Sequence, residues 1–217
     1  MRARMSTLTA ATAAMTAGLL AWAVPAQAST VPLSQGHVDA VDVAFADGEF
    51  EISVHDETVD PDVERDPADV VFVAKPEAAV VVPDDPAYAF LGVPGATVHI
   101  LPEVQNENLL WAGVATEELA AGVFVGDSVQ IRFTRVIGPD GFSLFVSDPV
   151  GAPNVLVDSE DGLPDAVTRP VGSHMHVNWA FETAGTYRIK VEVTGRLAAT
   201  GERVTSDPVW LTFQVQC

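Results

Sequence analysis

His174 and His176 stand one residue apart in "VGSHMHVNWAF", and the 217-residue chain holds only three other histidines, His37, His55 and His99. In a β-strand, residues i and i+2 project from the same face about 6 to 7 Å apart, so both imidazoles converge on one ion. Neutral imidazole nitrogen suits a divalent transition ion such as zinc, which takes three or four ligands, so the pair is half a site. His37 in "QGHVDAVDV", with Asp39 two residues on, ranks first as a further ligand. His99 in "TVHILPE" ranks second, and His55 in "SVHDET", beside Asp56 and Glu57, ranks below both. The candidate metal ligands are therefore His37, His99, His174 and His176.

Other readings of the same residues stay open. A lone histidine in a strand is also an ordinary core or surface residue, and Asn178 is either a hydrogen-bond partner to a ligand or a strand-end polar group. Trp111, Trp179 and Trp210 read as core aromatics. "HMH" supplies both histidine and methionine, the ligand types of some haem irons. The sequence has no HExxH, GxSxG, GxGxxG or Walker loop, and no nucleophile stands out, so no enzyme activity is expected. "DPDVERDPADV" is rich in oxygen ligands, but Arg65 stands where an EF-hand beginning at Asp60 requires glycine, and the segment reads as a solvated acidic loop.

The elements that must position these side chains are strands. "HVDAVDVAF" and "GEFEISVHDE" alternate apolar with polar residues around Asp47-Gly48, a hairpin turn. "DVVFVA" is apolar throughout, as in a strand covered on both faces. "ATVHILPE", "DSVQIRFTRVIG", "GFSLFVSDP", "HVNWAF", "GTYRIKVEVTG" and "PVWLTFQV" continue the series. "TEELAAG", Thr116 to Gly122, is the one segment that reads as a helix, capped by Thr116 and ended by Gly122. The expected fold is all-β, an immunoglobulin-like antiparallel β-sandwich with one short helix.

Residues 1–28 read as a secretory signal peptide, with Arg2 and Arg4, an apolar stretch, and the small-x-small "AQA" ending at Ala28. A single β-sandwich domain is expected over 29–217, secreted and with no membrane span. Cleavage would move the formal net charge from −19 to −21, because the leader carries two arginines and no acids. Such a surface disfavours nucleic acid and favours cations. Cys217 is the only cysteine, so no intramolecular disulfide forms and the core must hold the fold.

"SHMHVNWAFETAGTYRIKVEVTG", with "LSQGHVDAVDV" and "LPEVQNENLLWAGVATEEL", resembles the actinobacterial surface-anchored protein domain, also called the choice-of-anchor M domain, over about Leu33 to Val215. The block H-x-H-x-N-W-x-F-x-x-x-G-x-Y is the most specific part. The resemblance implies a secreted or cell-surface protein that captures a metal at the envelope, with components of a metal ABC transporter as partners. Carried over by residue, its motif histidines correspond to His37, His174 and His176, and His55 falls outside the motif. The chain departs from anchored members in having no LPxTG signal. Two functions are thus expected alternatives: capture of a divalent transition metal, zinc above others, or a non-catalytic envelope module that binds a protein or polysaccharide, with structural histidines.

Overall fold

The computed structural model describes residues 30–217; the expected leader lies outside them. The chain forms β1 (Val31–Leu33), β2 (Gly36–Ala46), β3 (Glu49–Asp56), β4 (Val63–Arg65), β5 (Val70–Ala74) and β6 (Ala79–Val81). It continues through β7 (Thr97–Leu101), β8 (Leu110–Ala115), β9 (Ser128–Ile137), β10 (Phe142–Ser147), β11 (Pro153–Asp158) and β12 (Asp165–Pro170). It ends with β13 (His174–His176), β14 (Asn178–Phe181), β15 (Gly185–Arg196), β16 (Arg203–Thr205) and β17 (Val209–Val215). The fold is all-β.

Three sheets result. One runs β1-β5-β17-β15-β9-β12 with β16 on β15, a second β11-β10-β14-β7-β6, and a third β13-β8-β2-β3-β4. The pairing is mixed rather than purely antiparallel: β1 with β5, β5 with β17, and β2 with β8 are parallel. Each of these connections passes through other strands, which supplies the long crossover that parallel neighbours need. Asp47 and Gly48 both take positive φ, 53° and 91°, the hairpin geometry expected between β2 and β3.

The helix expected from Thr116 to Gly122 does not form; those residues are turns. Thr116 is fully buried, and its hydroxyl donates to the Pro170 carbonyl at 2.7 Å instead of capping a helix. Side-chain bonding to a distant backbone carbonyl outcompetes one marginal helical turn.

Facing sides of the first two sheets pack aromatic rings between them. Trp179 lies 5.2 Å from Phe213 and Phe181 5.1 Å from Phe213, centroid to centroid. The buried core draws on all three sheets. Tyr187, at the start of β15, donates its hydroxyl to the Thr183 carbonyl at 3.0 Å and tethers that corner.

Beside this corner, carboxylates of Asp140, Glu160 and Glu182 crowd within 4.8 Å of one another. Glu182 Oε1 is buried without a hydrogen-bond partner. Burial, and then the adjoining Glu160, push the Glu182 carboxyl up to about 7. A raised carboxyl favours the fold while protonated, and that contribution is lost as pH climbs through about 7. Glu182→Gln is therefore expected to stabilise the protein at pH 8 by roughly 1 to 2 kcal/mol, after allowance for solvent screening, and to change little at pH 4. Urea denaturation at the two pH values checks this; equal effects at both would contradict it.

Candidate metal centre

Strand register builds the site on one face of the third sheet. His176 on β13 pairs with Gly113 on β8, Gly113 with Asp39 on β2, Asp39 with His55 on β3, and His55 with Glu64 on β4. One transverse row thus crosses all five strands. His37 pairs with Trp111, which places both one step along the same face. A register shift in β2 between Asp39 and Asp42 inserts one extra residue. Val38, Ala40, Val41 and Val43 all turn into the core, while Asp39 and Asp42, three residues apart, share the opposite face.

The chain reaches this row a second time by switching sheets. β13 pairs with β8, whereas β14, beginning two residues later, pairs with β10 and β7. Val177 is buried at the switch, and Met175 packs against the core, leaving His174 and His176 on the outer face.

His37, His174 and His176 bring one nitrogen each within 4.8 Å of the others. Their ring centroids are 4.9 to 5.2 Å apart. His37 Nε2, His174 Nε2 and both His176 nitrogens are buried and make no hydrogen bond. Asp39 Oδ1 lies 2.8 Å from His174 Nε2, yet neither atom has hydrogen-bond geometry, and both remain unpartnered. Gly113 forms the floor: a Cβ there would sit 2.2 Å from Asp39 Oδ1 and 2.8 Å from His174 Nε2. Trp111 walls one side, its ring stacked 3.6 Å from that of His176 with 7° between planes, and its Nε1 donates to the Glu103 carbonyl at 2.9 Å.

Burial shapes the electrostatics of two members of the cluster. Burial, and then the neighbouring His37 and His174, push His176 down to about 4, so its ring carries a free lone pair at neutral pH. Burial raises the Asp39 carboxyl, against the pull of His174 and His37. His37 Nδ1 lies 2.9 Å from Glu57 Oε2, which turns its Nε2 toward the cluster and holds the Glu57 carboxyl below the usual range.

His99 does not join this group. It is buried on β7 opposite Ala79 and Phe181, in the second sheet, and belongs to none of the ligand clusters among the described residues. Burial lowers its pKa and its Nδ1 lacks a partner. Asn178 is structural: its Oδ1 accepts from the Glu103 amide at 3.0 Å and its Nδ2 donates to the Phe145 carbonyl at 3.3 Å. Trp179 is a core aromatic as expected, but Trp111 is half-buried and belongs to the cluster. Sequence reasoning passed over Gly113 and Asp42; Asp39, noted only as a neighbour of His37, is an integral member. The alternation of "HVDAVDV" signals Asp39, whereas the bulge that recruits Asp42 leaves no mark in the pattern.

No protein-family model and no curated protein matches this chain.

Proposed function

We propose that the protein binds one divalent transition-metal ion, zinc in preference, through His37, His174, His176 and Asp39. The observation that carries this reading is the convergence of buried, unpartnered imidazole nitrogens and the Asp39 oxygen above the bare backbone of Gly113. Buried polar atoms left without partners are costly, and one cation relieves a nitrogen of each ring and the Asp39 oxygen together. Three imidazoles and one carboxylate form a complete tetrahedral set for zinc, with no position left open for a substrate. Binding rather than catalysis is thus the activity assigned. Met175 packs on the core, away from the imidazoles, which removes the thioether that a haem reading would use.

The Tyr187 tether and the facing aromatic sheets support an immunoglobulin-like sandwich as the scaffold. The resemblance of the "SHMHVNWAF" block to the actinobacterial surface-anchored domain supports capture of the ion outside the cell, for delivery to an ABC-type importer. The strongly acidic chain favours it too, by concentrating cations.

Elemental mass spectrometry on protein purified without a histidine tag tests the reading. The His174→Ala/His176→Ala double variant is expected to hold one metal equivalent fewer than the parent. Equal metal content, with no rise of Tm in the parent on adding zinc, would leave the envelope interaction module as the better account.

A further inference from the structure

The row of side chains does not stop at the first cluster. Past Asp39 it continues to His55 and Glu64, and Asp42, His55 and Glu64 bring their ligand atoms within 4.8 Å of one another. Glu64 accepts from His55 Nδ1 through one oxygen and from the Ser53 hydroxyl at 2.7 Å through the other. On its other side, His55 Nε2 lies 3.3 Å from Asp62 Oδ2 and 3.7 Å from Glu57 Oε1. Four carboxylates, those of Asp42, Glu57, Asp62 and Glu64, therefore surround one imidazole. Even with that ring protonated, the group keeps an excess of negative charge.

Asp42 differs from the exposed carboxylates around it. It is only 6% exposed, it is aimed into the cluster by the β2 bulge, and among the described residues no side chain donates a hydrogen bond to it. A buried carboxyl group facing an imidazole and further acids gains a partner where a cation binds.

We propose that Asp42, His55 and Glu64 form a second binding site for a divalent transition cation, with Asp62 at its outer rim. The donor set, one imidazole with carboxylates, is harder than the three-imidazole cluster and binds more weakly and with less preference for zinc over manganese. Glu57 links the two sites, one oxygen on His37 and the other turned to His55. That link rests on the function proposed above; the second site itself does not.

Calorimetric titration of the chelator-stripped full chain with zinc alone tests it. The parent is expected to take two equivalents, and His55→Gln one. The His174→Ala/His176→Ala variant is expected to keep one equivalent, which is lost when His55→Gln is added. Glu64→Gln, at a largely solvent-exposed carboxylate, guards against misfolding and is expected to weaken the second equivalent at least about tenfold. Far-UV circular dichroism confirms that each variant folds. A parent that takes one equivalent, unaffected by His55→Gln, overturns the second site and leaves the first standing. One equivalent lost only with His55→Gln, and indifferent to His174 and His176, overturns the first site and leaves the second.

Discussion

Gly113→Ala is expected to weaken zinc binding at least about a hundredfold, a loss near 3 kcal/mol, while leaving the fold intact. The added methyl carbon would lie 2.2 Å from Asp39 Oδ1 and 2.8 Å from His174 Nε2, closer than any real contact, so it occupies the space between two proposed ligands. Gly113 sits mid-strand on β8 without a positive φ, so alanine brings no backbone strain and slightly favours the extended chain. The expected signature is therefore specific: a folded circular-dichroism spectrum, at most a modest fall in metal-free Tm as Asp39 and His174 give way, and a calorimetric titration without the tight zinc transition. Undiminished zinc affinity in this variant would show that no ion sits between Asp39 and His174. Few single substitutions separate the site from the scaffold so cleanly, since replacing a histidine removes a ligand and a packed ring together.

The second large effect concerns the scaffold. Trp179→Ala is expected to destabilise the protein by roughly 3 to 5 kcal/mol in urea denaturation. The ring is fully buried, within 5.2 Å of Phe213 and 6.1 Å of Phe142 between centroids, and its Nε1 donates to the Ala112 carbonyl at 3.2 Å. Truncation leaves a large cavity between two sheets and removes the indole's bond to the Ala112 carbonyl beside Gly113. Trp179→Phe, which retains most of the apolar volume, is expected to cost clearly less. Similar losses for the two would indicate that the indole hydrogen bond, rather than packing, dominates.

Local pattern carried the strands well. Alternation in "HVDAVDVAF" and "GEFEISVHDE", broken by Asp47-Gly48, corresponds to a real hairpin, and the apolar "VVFVA" is a strand buried on both faces except at Val71, which is half-buried. Spacing in "HMH" was likewise enough to place two imidazoles on one face. What spacing cannot express is which strands become neighbours. His37 meets His176 only because β8 lies between β2 and β13, and that strand contributes no ligand of its own beyond the space left by Gly113. His99 has equally good local credentials, yet its strand joins another sheet. Asp42 was hidden by the bulge, since strict alternation from His37 and Asp39 would turn it toward the core. Thr116 departs from the helix-cap pattern for a related reason: its partners, Pro170 and Ser173, are more than fifty residues away.

β13 is only three residues long and lies at the margin of its sheet. Behind it runs β8, "LWAGVA", a largely apolar strand whose outer backbone groups would be open to any passing chain if β13 came away. If the proposed function holds, an ion shared by His37, His174 and His176 would clamp that short segment to the interior of the sheet across β8. Metal supply would then govern more than cargo loading: the depleted protein would be the form most open to proteolysis at this margin and to self-association strand against strand.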